Sequence, residues 1–226
     1  MMKQYNRVCA RIDLDAIEYN MEMMHKNTRE GVSMISVIKT DGYGHGAVQI
    51  ARMLEPKDYI WGYAVATLDE AVVLRKRGIK KPILVLGCIF PDQWEAAITH
   101  EIRFTVYTKE MAEGISELAG KLGKDAYVHI KLDTGMSRLG FLIQEESAEI
   151  ITGITRLPGL IMEGMFTHFA KADETDKTFT NKQYNSNGAS TSTSRSAARS
   201  VSTATSRPSR DGSAMRQTIR TPCAAS

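Results

Sequence analysis

Six short apolar runs, at roughly residues 33–38, 60–66, 83–87, 103–107, 126–132 and 160–167, punctuate the chain, and each is followed by residues at helical spacing. Runs of this length rich in Val, Ile and Leu read as strands buried on both faces. Strands that alternate with helices pair in parallel, because a parallel connection needs a crossover long enough to return to the same end of the sheet. The expected fold is α/β, a TIM-type (β/α)8 barrel domain over residues 1–184, incomplete at about six of the eight strands such a barrel takes. Val8 to Leu14 reads as a leading strand that runs into a helix with apolar residues at Leu14, Ile17, Met21 and Met24. Thr67 and Glu70 have capping-box spacing ahead of a helix reaching Gly78. Pro91 opens the helix after the third run, and Met111, Ile115, Leu118 and Leu122 share one helical face. Glu145 to Arg156 reads as a helix, and Asp176 to Tyr184 as the first turns of another.

Composition changes abruptly at residue 185. Between Asn185 and Ser226, 30 of 42 residues are Ser, Thr, Ala or Arg, and Leu, Phe, Tyr, Trp, Lys and Glu are absent. Such a segment cannot bury enough apolar surface to offset an ordering cost of about 1–2 kcal/mol per residue, so disorder is expected over 185–226. The segment carries +5 and the first 184 residues −2, so the overall +3 belongs to the tail rather than to the domain. A shifted reading frame, in the gene or its sequencing, best accounts for a βα pattern that halts in mid-helix and gives way to one uniform composition. A natural flexible tail and an arginine- and serine-rich nucleic-acid-binding arm are the alternatives. The arm lacks aromatic residues for base stacking, and no nucleic-acid partner is expected. Cys9, Cys88 and Cys223 are odd in number and form no C-x-x-C pattern, which argues against a disulfide scaffold or zinc site; no metal is expected. No signal-peptide core follows the N-terminus, and no apolar run approaches the roughly 20 residues of a membrane span. A soluble, cytoplasmic protein without membrane contact is expected.

Chemistry concentrates where the first apolar run ends. Met34 to Ile38 stops at Lys39, three glycines follow within seven residues (Gly42, Gly44 and Gly46), and Ala47, Ile50, Ala51 and Leu54 then take up helical spacing. In a parallel sheet, ligands bind at the carboxyl ends of the strands. An amine placed there can attack a carbonyl, and the glycines let the backbone approach a ligand closely. On position alone, a solvated lysine is the commoner reading. A nucleotide phosphate loop fails, because no Lys-Ser or Lys-Thr follows the glycines and G-x-G-x-G is not the dinucleotide fingerprint. Further along, residue alternation puts His129, Lys131 and Asp133 on one side of a strand and Val128, Ile130 and Leu132 on the other. By position alone, Lys131 and Asp133 read as a solvated edge face, and the lone His168 at a strand end reads as structural.

The segment V-I-K-T-D-G-Y-G-H-G, residues 37–46, closely resembles the pyridoxal-phosphate attachment segment of bacterial alanine racemases. H-I-K-L-D-T-G-M-S-R-L-G, from His129 to Gly140, resembles the same family's K-x-D-T-G-M-x-R-L-G signature, and G-M-F-T-H-F-A-K-A-D, from Gly164 to Asp173, resembles a third family segment. The resemblance runs from about Val8 to Tyr184. It implies that Lys39 carries pyridoxal 5'-phosphate covalently and, once released from it, serves as the catalytic base on one face of the substrate. It implies too that Tyr43 contacts the cofactor phosphate, and that Arg138 reaches the cofactor's phenolic oxygen and the substrate carboxylate. The lysine matching Lys131 is carbamylated in some members and then holds that arginine in place. His168 is placed beside the cofactor, orienting the ring and the second base, and counts with Lys39 among the catalytic residues.

The implied activity is an isomerase reaction, the pyridoxal-phosphate-dependent interconversion of L-alanine and D-alanine for peptidoglycan, carried out by a homodimer. Removing the α-proton of an amino acid needs an electron sink, which the cofactor supplies, and two bases on opposite faces. In the family the second base is a tyrosine of the partner subunit's C-terminal domain, and an arginine faces the pyridine nitrogen; both are expected to lie beyond the break near residue 184. The alternative is a stand-alone pyridoxal-phosphate-binding barrel of the cofactor-homeostasis type. Chain length favours that alternative, and the Y-G-H-G and D-T-G-M-S-R-L-G motifs oppose it. Serine and broad-spectrum racemases also belong to the family. A chain of this literal sequence is expected to racemise alanine negligibly. An assay of D-alanine formation with added pyridoxal phosphate checks this, and turnover near that of a full-length family member would refute it.

Overall fold

This computed structural model describes residues 8–187. Those residues contain the strands β1 (Met34–Val37), β2 (Ile60–Val65), β3 (Ile83–Val85), β4 (Phe104–Val106), β5 (Ala126–Asp133), β6 (Phe141–Leu142) and β7 (Leu160–Phe166). Every pairing among them is parallel. β1, β2 and β3 lie side by side, as do β4, β5 and β7. The Arg103 N–H donates to the Ile83 carbonyl (2.8 Å) and the Val85 N–H to that of Arg103 (3.0 Å), which joins the two sets into one wall. The six apolar runs thus form six neighbouring strands in chain order, the wall of a partial TIM-type barrel. Strand β6 is an addition. Its two residues pair with Leu132 and Asp133 at the end of β5, and two residues are too few to carry a periodic signal.

Helices Leu14–Lys26, Ala47–Leu54, Leu68–Lys76, Trp94–Thr99, Lys109–Leu122, Glu145–Ile154 and Thr178–Asn187 precede, connect or follow these strands. Ala47, Ile50, Ala51 and Leu54 are all buried, as their spacing requires. Fully burying one aliphatic side chain of this kind contributes about 1.5–3 kcal/mol, so such a face binds its helix to the sheet. The Thr67–Glu70 capping box forms. Pro91 begins a short 3-10 turn that leads into the helix at Trp94. In Lys109–Leu122, Met111 and Ile115 are buried while Leu118 and Leu122 pack half-buried against the core.

Three expectations need correction. Residues 8–13 are not a strand: no described strand lies beside them to complete a hydrogen-bonded ladder, and Val8 is exposed. Asp13 instead caps the first helix, its carboxylate accepting the Ala16 N–H at 3.0 Å. Met21 of that helix is buried, but Met24 faces solvent. The last helix continues to Asn187, so the change of composition at residue 185 falls inside it. The expectation of disorder over 185–226 lies, from residue 188 onward, outside the described residues.

Two β-bulges interrupt the ladder. Ile60 pairs with Met34 and Gly62 with Ile35, leaving Trp61 as the extra residue. Val128 pairs with Met162 and His129 with Gly164, leaving Glu163 extra. A bulge turns its extra side chain away from the regular alternation, and both of these side chains arrive at His129. Trp61 meets the His129 ring edge-on at 5.5 Å between centroids, and Glu163 Oε2 lies 3.4 Å from His129 Nε2. Arg103 completes the group by donating twice to the Glu163 carboxylate, at 2.9 and 3.0 Å. Beside the first bulge the chain has no room for a side chain, since a Cβ on Gly62 would sit 2.4 Å from the Pro82 carbonyl oxygen. That oxygen already accepts the Tyr63 N–H at 2.8 Å. Replacing Gly62 with Ala should destabilise the protein by about 1–3 kcal/mol, the range for overpacking against atoms that cannot yield. Urea melts of the two proteins measure it, and an unchanged midpoint would count against the close approach.

Candidate active site

The residues singled out by the sequence motifs stand at the carboxyl ends of β1, β5 and β7. Lys39 follows β1 by one residue after Ile38, and the chain then turns in an unusual way. Thr40, Asp41, Gly42 and Tyr43 all have positive φ, at 57°, 52°, 64° and 54°, which makes a left-handed helical turn. Each non-glycine residue held there costs roughly 1–2 kcal/mol. Gly42 fills the one place in the turn where a side chain is also sterically barred, 2.9 Å from Ile50 Cδ1. Polar bonds offset the strain. Glu70 accepts the Thr40 N–H at 2.5 Å and the Ala66 N–H at 2.7 Å. The Asp41 carboxylate caps the next helix by accepting the Ala47 N–H at 2.9 Å, and the Asp41 carbonyl accepts from Gly46 at 2.8 Å. The turn presents Tyr43, exposed, with its ring centroid 5.9 Å from the Lys39 amine.

On β5 the polar face is not solvated. His129, Lys131 and Asp133 are all buried, because β5 is an inner strand with β4 on one side and β7 on the other. The Lys131 amine donates to the Leu132 carbonyl at 2.7 Å and lies 5.6 Å from the centre of the Phe166 ring. Burial holds its pKa below the ordinary lysine value; Asp133 acts against this and Arg138 adds to it. Burial alone would push the Asp133 carboxyl up. The Gly135 and Ser137 N–H groups, donating to Oδ1 at 2.8 and 3.0 Å, more than offset that, and with Lys131 they hold it below the usual carboxylate range. The same two bonds shape the loop that carries Arg138, whose Ser137 has φ 56°.

His168 lies two residues past β7 and is half-buried. Burial lowers its pKa first, and then three cations lower it further: Arg138, Lys131 and Lys39. One imidazole therefore feels the charges of Lys39 just past β1, Lys131 on β5 and Arg138 in the loop after β5. Among the described residues, no group of three or more His, Cys, Asp or Glu side chains could hold a metal ion. A convergent set of cations with a single buried carboxylate suits an anionic ligand, and an amine at a strand end suits one that carries a carbonyl.

Sequence reasoning missed three contributors. Glu70 was visible as a capping-box residue, but its bond to Thr40, thirty residues away, has no local signature. The Arg103–Glu163–His129 group is made by bulges, which alternation does not foresee. Gln183, fully buried and bonded to both the β5 and β7 loops, lies in a helix with nothing in its pattern to mark it.

Fold and site together define a βα-barrel protein whose strand ends gather an amine, two further cations and a histidine. The chain belongs to the alanine racemase N-terminal domain family, whose model matches residues 12–214. It is 46% identical over 185 residues to an alanine racemase of Clostridium tetani, covering 82% of this chain and 47% of that one. Among solved structures, an alanine racemase of Clostridium difficile superposes with a TM-score of 0.78 at 39% identity, covering 85% of this chain and 49% of that chain. A histidine racemase of Leuconostoc mesenteroides superposes with a TM-score of 0.70 at 29% identity, covering 77% and 46%. The chain spans about half the length of the curated relatives it matches.

The convergence of cations on His168 has a measurable consequence. Its imidazole should titrate below the ordinary value of about 6.5, because the charged form is opposed by burial and by positive neighbours. The unfolded chain then binds the proton more readily, so this group makes stability fall as pH drops through 6.5 and on to the lower folded value. Replacing Arg138 with Ala should raise the His168 midpoint towards 6.5. An NMR titration of the ring protons reads both, and an unshifted midpoint in the variant would refute the convergence.

Proposed function

We propose that this chain forms the cofactor-bearing barrel part of a pyridoxal-phosphate-dependent amino-acid racemase acting on alanine. The observation that carries the reading is the placement of Lys39, Lys131, Arg138 and His168 at or just past the carboxyl ends of the parallel strands β1, β5 and β7. The names of the curated relatives support alanine, and the histidine racemase among the structural neighbours marks a change of substrate as open to this fold. The donor set fits pyridoxal 5'-phosphate: an amine for its carbonyl carbon, cations for its anionic oxygens and a tyrosine displayed on the turn that follows the amine.

When bound, the cofactor supplies the electron sink that makes an amino acid's α-proton removable. Lys39 would hold the cofactor, and its amine would be the base that takes or returns that proton on one face. Tyr43, exposed on the left-handed turn, binds the phosphate. Arg138 would pair with the substrate carboxylate and with an anionic oxygen of the cofactor, since a planar guanidinium can donate two hydrogen bonds side by side. His168, kept largely neutral near pH 7 by burial and its cationic neighbours, hydrogen-bonds the groups that orient the ring and the opposite base. Lys131 is the candidate for carbamylation. Its lowered pKa leaves more neutral amine to attack carbon dioxide, forming an N–C bond and releasing a proton, and the resulting carboxylate would neutralise part of the charge beside Arg138.

The reading assigns residues 1–184 to the barrel part and 185–226 to a segment outside it, on the strength of the composition change, with the last helix overrunning that boundary by three residues. A homodimer and a cytoplasmic location belong to the same reading. The free, exposed thiols of Cys9 and Cys88 suit a reducing compartment. Among the described residues, no helix is long and apolar enough to cross a membrane. The test is direct. Incubation with pyridoxal phosphate, borohydride reduction and peptide mapping should place the label on Lys39, and Lys39→Ala should abolish it. Labelling of other lysines at equal yield, unaffected by that substitution, would overturn the assignment.

A further inference from the structure

Gln183 belongs to the helix Thr178–Asn187, yet its side chain is completely buried, which is rare for glutamine. Every polar atom of its amide is used. Nε2 donates to Thr134 Oγ1 and to the His168 carbonyl, each at 3.1 Å, and Oε1 accepts the Ala170 N–H at 2.9 Å. The amide cannot be turned round, because a flipped group would set its N–H against the Ala170 donor and its oxygen against the His168 carbonyl. Thr134 in turn shares a 2.8 Å hydrogen bond with Thr167. Phe179, one helical turn earlier, packs where a Cβ on Gly135 would be 3.1 Å from its ring. The helix therefore grips two separate loops at once. One runs from Asp133 to Arg138 after β5, and the other from Thr167 to Ala170 after β7.

We propose that Gln183 is a positioning residue, a two-loop clamp that sets the distance between Arg138 and His168. Neither loop spans to the other by regular pairing at this point, since β5 and β7 stop pairing at Lys131 and Phe166. Beyond that register, the described cross-links between the loops are the Thr134–Thr167 bond and the Gln183 amide. A buried amide with all its bonds made is a rigid spacer, and removing it deprives one donor (the Ala170 N–H) and two acceptors (Thr134 Oγ1 and the His168 carbonyl) of their partner. The clamp rests on the reading that Arg138 and His168 share one site, and it extends that reading to a residue that touches neither substrate nor cofactor.

The test uses the full chain without cofactor and reads backbone amide hydrogen exchange. Gln183→Met keeps the shape and removes the bonds. It should speed exchange of the amides in 134–138 and 168–170 together by roughly tenfold, the effect of losing about one hydrogen bond, while β1 to β3 stay protected. Gln183→Glu keeps the acceptor for Ala170 and loses both donors, so Ala170 should remain protected while 134–138 loosens. Unchanged exchange in both loops, or acceleration extending equally into β1 to β3, overturns the clamp. Pyridoxal-phosphate labelling of Lys39 in the unsubstituted chain is measured in parallel. If that labelling fails, the cofactor reading falls, and the exchange pattern still decides the role of Gln183.

Discussion

The carboxylate of Glu70 holds the organisation of the site together. It accepts N–H groups from Thr40, Ala66 and Thr67, and so ties the turn after β1 to the end of β2 and to the start of the helix that follows it. A left-handed turn containing three non-glycine residues carries a cost of several kcal/mol, on the order of 3–6 by the usual penalty per residue. It persists only where surrounding bonds over-determine it. Glu70 and Asp41 provide them, one at each end of the turn. The gain is placement: the backbone reverses immediately after Lys39, leaving the amine at the strand end with Tyr43 displayed beside it. Loss of this anchor would free the turn to relax towards ordinary right-handed geometry, and the lysine would lose its fixed neighbour.

A second constraint is electrostatic. Three cations lie close enough to His168 to lower its affinity for a proton, and the carboxylate that interacts with Lys131, Asp133, also accepts two backbone N–H groups. Like charges gathered in a partly buried place repel, and together with burial they oppose protonation of His168. Elsewhere the barrel wall treats charge differently. Arg103 and Glu163 pair in bidentate fashion next to His129, with Arg103 also 4.3 Å from the centre of the Tyr127 ring. That group is self-compensated, and two bulges are spent on assembling it. The contrast separates cations gathered around a histidine from a cation already paired with a carboxylate.

Much of this was legible in the sequence, for reasons that differ by residue. The six wall strands were readable because each contains a short apolar run bounded by turn residues. The helix Ala47–Leu54 was readable because its buried residues follow the helical period without a break. Lys39, Lys131, Arg138 and His168 were visible through their motifs. The burial of Lys131 and Asp133 was not, since alternation reveals which residues share a side and says nothing about what covers that side. The supposed strand at Val8 failed because a strand needs a neighbour, and local propensity cannot supply one. Trp61, Glu163 and Gln183 were invisible for a common reason: each acquires its role from a partner more than ten residues away, through a bulge or a tertiary contact.

Strand order has a last consequence. Among the described residues, β1 pairs only with β2 and β7 only with β5, so the wall has two free margins, and Lys39 stands at the top of one of them. Whatever segment lies against Met34–Val37 on that side, from the same molecule or another, becomes a wall of the chamber around the amine. Assembly and chemistry are therefore not separable properties here. A strand that docks in the wrong register, or a second molecule that pairs along the open margin, would change the surroundings of the lysine without altering a single residue near it.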